Sequence, residues 1–178
     1  MIRYDLPYAT SRRSMGSMIT IAVLVMLLLI CIPTFAADLL KLNLDDVSTL
    51  GLKIEKDAQV KTEGSGSIKL STLWPTTVCI GEVSRLDVEN ATLLYTADVK
   101  SQVDGTVLLE MWVHVGGGRY FSRSLNSAIQ GNSDWRTIQT PFILQKGQRP
   151  HKVTLNVIIN GKGTVWIDNI VLSKTPLN

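Results

Sequence analysis

The 178-residue sequence predicts an all-β fold: an antiparallel two-sheet jelly-roll β-sandwich over residues 38–178, preceded by an N-terminal hydrophobic signal or anchor helix over residues 1–37. Three observations predict it. An uncharged apolar run lies near the N-terminus, and beyond it apolar residues recur at every second position, which places alternate side chains on opposite faces of strands. Gly-rich and Asn/Asp-rich clusters then divide the chain at the spacing of about eight short strands, as in a sandwich.

The leader opens with Arg12 and Arg13, followed over residues 19–32 by a run whose only polar member is Thr20. That is the charged and apolar order of an export signal. Pro33 ends it, and Ala36 and Ala37 supply small residues where a signal peptidase would cut, after Ala36. The alternative is a retained anchor: residues 14–37 carry no charge, and about 20 residues suffice to span a bilayer. Arginines on its N-terminal side would then stay cytoplasmic, leaving the domain outside. Both readings export the domain, so it is expected to be secreted, periplasmic or membrane-anchored, with the membrane as a partner only if the leader is uncleaved.

In the domain, Leu93, Tyr95, Ala97 and Val99 alternate with Thr92, Thr96, Asp98 and Lys100. Leu109, Met111, Val113 and Val115 alternate with Glu110, Trp112 and His114, and Val153, Leu155, Val157 and Ile159 with Lys152, Thr154, Asn156 and Asn160. Further strands are predicted over residues 67–71, 79–86, 120–124, 135–144 and 164–172. The sequences Glu63-Gly64-Ser65-Gly66, Gly116-Gly117-Gly118 and Asn160-Gly161-Lys162-Gly163 read as turns between strands.

Charge excludes one class of partner. Of 18 basic and 15 acidic residues, Arg3, Arg12, Arg13 and Asp5 belong to the leader, leaving 15 against 14, or +1. A near-neutral domain lacks the basic footprint of nucleic-acid binding. Of the two cysteines, Cys31 lies in the leader, so the domain holds Cys79 alone and forms no internal disulfide. Val78-Cys79-Ile80 reads as core, with Cys79 a small buried residue.

Catalytic material is sparse. His114 and His151 are the only histidines, and neither falls in a metal-binding or nucleophile motif. The aromatics say more. Trp112 shares a strand face with Glu110 and His114, opposite the core-facing Met111 and Val113. A tryptophan so placed either packs under a loop or offers a stacking platform for the apolar face of a sugar ring. Tyr120 and the loop residue Trp74 are candidates to join it, with Glu110 and Asn156 as polar companions. Trp135 and Trp166 read as packing residues.

Four segments occur in order: Lys61-Thr62-Glu63-Gly64-Ser65-Gly66-Ser67-Ile68-Lys69-Leu70, Tyr95-Thr96-Ala97-Asp98-Val99-Lys100, Asp134-Trp135-Arg136-Thr137, and Gly163-Thr164-Val165-Trp166-Ile167-Asp168-Asn169-Ile170-Val171-Leu172. Together they resemble the galactose-binding-like jelly roll, in particular the carbohydrate-binding modules of cellulases and xylanases, over about residues 40–174. The resemblance implies a structural calcium held by Asp168 with Asp46, or its neighbour Asp45, near the first strand; calcium takes such oxygen ligands. Leu44 and Leu52 stand where the family usually has aromatics. The expected function is an exported, non-catalytic module binding an oligo- or polysaccharide at the cell envelope or outside the cell. The alternative is a structural or protein-interaction jelly roll without a sugar site, and a hydrolase is the third reading.

Overall fold

The computed structural model describes residues 37–41 and 54–177. Residues 1–36 of the predicted leader, Asp45, Asp46, Leu44 and Leu52 lie outside the described residues. Among the described residues no helix is long and apolar enough to cross a membrane.

The strands are β1 (Ala37–Lys41), β2 (Ile54–Asp57), β3 (Ser67–Thr72), β4 (Thr76–Ser84), β5 (Ala91–Val115), β6 (Gly118–Arg123), β7 (Ile129–Gln130), β8 (Ser133–Leu144) and β9 (Pro150–Pro176). Every pairing is antiparallel. The frame is β5 against β9, paired from Ala91 opposite Pro176 to Val115 opposite Pro150. Along β5 the odd-numbered residues Leu93, Tyr95, Ala97, Val99, Val107, Leu109, Met111 and Val113 are buried. Alternation of this kind, broken where Leu108 and Glu110 are buried as well, is the pattern of a strand with one face in the core.

The two long strands each serve both layers of the sandwich. Residues 91–103 and 163–176 centre one layer, flanked by β8 on the β5 side and by β1, β3 and then β2 on the β9 side. Residues 106–115 and 150–159 centre the other, flanked by β6 and β7 on the β5 side and by β4 on the β9 side. One core cluster draws on both, with Ile68, Leu93, Tyr95 and Ile167 from the first layer and Ile80, Leu109, Met111 and Leu155 from the second.

The change of layer falls where the sequence suggested a turn. The segment 160–163 stays inside β9, paired with residues 103–106 of β5. There the two backbones close on each other: a Cβ on Gly105 would sit 1.9 Å from the Asn160 carbonyl oxygen, and one on Gly161 2.0 Å from that of Asp104. Only glycine permits such an approach, and glycine inside a strand marks a bend as readily as a turn. The strands expected over 93–99 and 109–115 are therefore halves of one bent strand.

Cys79 also departs from expectation. Val78 and Ile80 are buried, but Cys79 between them is exposed. Alternation decided the matter against residue type: with its neighbours turned inward, Cys79 must face outward, and a bulge between Cys79 and Gly81 resets the strand only afterwards.

Candidate functional site

The outward face of the second layer collects most of the residues singled out in the sequence. Val115 pairs with Gly118 across a two-residue hairpin loop, Gly116-Gly117, in which both residues have positive φ, 57° and 77°. That conformation matches the twist of the flanking strands and requires glycine-like residues. It sets the register of β6, placing Arg123 opposite Glu110, Phe121 opposite Trp112 and Arg119 opposite His114. From the other side β9 sets Asn156 against Glu110 and Thr154 against Trp112, and β4 adds Cys79 beside Asn156.

Glu110 is the hub. It is 3% exposed. Its Oε1 accepts from the Trp112 Nε1–H at 2.6 Å and from Asn156 Nδ2 at 3.1 Å, while its Oε2 accepts from Arg123 Nε at 2.7 Å. Burial pushes the Glu110 carboxyl up, but the hydrogen bonds from Arg123, Asn156 and Trp112 together outweigh it and hold the pKa below the ordinary glutamate value. A buried carboxylate is tolerated when it is paired and hydrogen-bonded in this way.

An aromatic and cationic tier lies over this network. The rings of Trp112 and Phe121 are 5.0 Å apart and tilted by 47°, within the range of favourable aromatic pairs. The Arg119 guanidinium carbon stands 4.3 Å from the centroid of Trp112, and that of Arg123 stands 4.8 Å from Phe121, both in cation–π range. Trp112 is half-buried, whereas Phe121 is 52% exposed. At the end of the face His114 and His151 meet edge to face at 5.7 Å, and Lys152 pairs with Glu82 at 3.2 Å. Desolvation first, then the charges of Lys152, His151 and Arg119, lowers the His114 pKa.

No protein-family model and no curated protein matches the chain. Solved structures do. A xylan-binding domain of carbohydrate-binding module family 22 aligns with a TM-score of 0.54 at 10% identity, covering 79% of this chain and 96% of that one. A family 16 carbohydrate-binding module aligns with a TM-score of 0.51 at 14% identity, covering 68% and 86%. The xylan-binding CBM22-1 domain of Paenibacillus barcinonensis Xyn10C aligns with a TM-score of 0.50 at 15% identity, covering 71% and 83%. The fold is a jelly roll similar to that of these carbohydrate-binding modules. At these identities the likeness speaks for the fold, and the site rests on the residues themselves.

Of the five residues expected around a ligand, the jelly roll brings together Trp112, Glu110 and Asn156. Tyr120 is placed on the other side of its strand, opposite the core-facing Val113, and is exposed only because β6 runs along an edge. Trp74 is 66% exposed in the loop between β3 and β4. The next strand begins with Thr76 opposite Ile159, itself opposite Val107, so this loop lies about five strand positions, or ~17 Å, from Trp112. Phe121 and Arg119 were missed. The signal for both was present: a two-residue glycine hairpin fixes the register, and register puts Phe121 beside Trp112. Trp166 packs as expected, buried, with its Nε1–H donating to Asp57 Oδ2 at 2.9 Å.

Of the acids implied for the calcium site, Asp168 lies among the described residues. Asp168 is buried, and its Oδ2 accepts from the Thr62 N–H and hydroxyl, both at 2.8 Å, and from the Glu63 N–H at 3.3 Å; Oδ1 accepts from the Asn169 N–H at 2.9 Å. These donors satisfy the carboxylate; the backbone N–H groups among them cannot ligate a cation. Asp46 lies outside the described residues, and among those residues no group of three or more acids, histidines or cysteines forms a metal cluster. As placed, Asp168 ties the loop between β2 and β3 to β9.

Proposed function

We propose that this protein is an exported, non-catalytic carbohydrate-binding module that holds an oligo- or polysaccharide on the outer face formed by β4, β9, β5 and β6. The observation that carries the reading is the Trp112 and Phe121 ring pair standing beside the fixed polar network of Glu110, Asn156 and Arg123. A sugar ring presents C–H groups on one face and hydroxyls at its rim, so its site combines flat aromatic surface with a few immobilised donors and acceptors. Here the indole supplies the surface together with the exposed Phe121, and Arg123 and Thr154 supply polar groups beside it, with Arg123 fixed from beneath by the buried Glu110 and Asn156 network. The likeness in fold to xylan-binding domains supports the same reading.

A binding rather than hydrolytic role is supported by the state of the acids. Glycoside hydrolysis uses a carboxyl able to give up a proton facing a second, ionised carboxylate. On this face Glu110 is tied to three donors and held ionised, and Glu82 is paired with Lys152. A structural calcium at Asp168 with Asp46, and export through the leader, are proposals that rest on the resemblance and on the apolar N-terminal run. Cell fractionation that recovers the domain outside the inner or plasma membrane would support export.

Affinity electrophoresis in gels containing soluble polysaccharides tests the sugar-binding reading. The protein is expected to be retarded by at least one of them, and Phe121→Ala to abolish the retardation. Migration unaffected by every polysaccharide would overturn the reading.

A further inference from the structure

The charges on the proposed sugar face do not cancel. Among the described residues its carboxylates Glu110 and Glu82 are both engaged, by Arg123 and by Lys152. Arg119 is left over. Its side chain is exposed, and among the described residues it makes no ion pair or hydrogen bond, only the stack on Trp112 at 4.3 Å. A guanidinium held over a ring by a cation–π contact still has N–H groups that can pair with a carboxylate. His114, directly opposite Arg119, and His151 beside it add further donors at the same end.

Resting on the glycan reading above, we infer that the ligand of this face is an acidic glycan, a polysaccharide bearing uronic acid, whose carboxylate pairs with Arg119. The geometry supports this division of labour. Arg119 covers part of the indole and Arg123 stands 4.8 Å from the Phe121 centroid, but Phe121 remains 52% exposed, and a sugar packed on its open part brings a ring substituent towards the Arg119 guanidinium. A neutral sugar would satisfy the aromatic surface but leave Arg119, which makes no ion pair among the described residues, without a partner. An acidic one occupies both.

The test compares polygalacturonate, the same polymer after chemical reduction of its carboxyl groups, and neutral xylan, in affinity electrophoresis. Polygalacturonate is expected to bind at least tenfold more tightly than its reduced form, with affinity falling as salt rises. Arg119→Gln should abolish that preference without changing the melting temperature, Arg119→Lys should retain part of it, and Arg136→Gln, on β8, should leave it intact. Equal binding of native and reduced polymer, or an unchanged preference in Arg119→Gln, overturns the acidic specificity while leaving the glycan site standing. Binding to none of the three overturns the glycan reading together with it.

Discussion

Trp112 and Glu110 stand two positions apart on one face of β5, and the indole N–H of Trp112 donates to the carboxylate of Glu110 at 2.6 Å. The tryptophan therefore supports a buried charge as well as presenting a ring. An outward-facing indole read from alternation alone would be expected to be dispensable for stability. This contact makes it a structural element too, and it links the proposed ligand surface to the stability of the second layer.

Trp112→Phe keeps an aromatic ring and removes that donor, so it is expected to cost about 1.5–3 kcal/mol, the range for a hydrogen bond to a charged group. Urea denaturation measures it. A change below a few tenths of a kcal/mol would mean that Arg123 and Asn156 hold Glu110 without help.

The pH dependence follows from the sign of the Glu110 shift. Its folded-state pKa lies below the ordinary value of 4.5, so the folded state favours the ionised form. The stability this contributes is present above the unfolded-state pKa and is lost as pH falls through the folded-state pKa. Glu110→Gln should therefore be less stable than the parent at neutral pH and show a shallower loss below about pH 4.5. Parallel acid-unfolding curves for the two proteins would contradict this.

Tyr95 is fully buried, and its hydroxyl has no hydrogen-bond partner among the described residues. Burying an unsatisfied polar group costs about 1–3 kcal/mol. Tyr95→Phe is thus expected to leave stability unchanged or raise it by up to about that amount, read as the shift in denaturation midpoint. A loss of more than about 1 kcal/mol would show that the hydroxyl finds a partner.

Asp168 accepts from three backbone N–H groups and one hydroxyl. Asp168→Ala is expected to cost about 1.5–3 kcal/mol in buffer containing chelator, since the donors lose their acceptor whether or not an ion is present. The proposed calcium adds a separate expectation: the melting temperature of the parent rises with calcium and that of Asp168→Ala does not. A parent unmoved by calcium would remove the ion from the account and leave the hydrogen-bond role in place.

The sandwich was legible because period-two alternation is a local signal, and it also put Trp112, Glu110 and Asn156 on the outer face. What alternation does not encode is which strands adjoin. The bend at Gly105 and Gly161 looked like a turn because glycine has the same local signature in both, and only the β5–β9 pairing separates them. Tyr120 and Phe121 are consecutive, so one had to face Trp112 and the other away. Choosing between them required the hairpin register. Trp74 is conspicuous by its type, yet its distance from Trp112 is a property of the β3–β4 connection. Cys79 was read from its hydrophobic character, and the inward turn of Val78 and Ile80 overrode it.

The most direct test of the glycan site is to watch the four tryptophans separately. Heteronuclear NMR of the isotope-labelled protein resolves one indole N–H signal for each tryptophan, assigned with single Trp→Phe variants. The protein is titrated with xylohexaose and, separately, with an oligogalacturonate. The account predicts that at least one of these sugars shifts the Trp112 indole signal in a saturable way while that of the buried Trp166 stays in place. Signals that all remain fixed with both sugars, or a shift confined to Trp74, would contradict it.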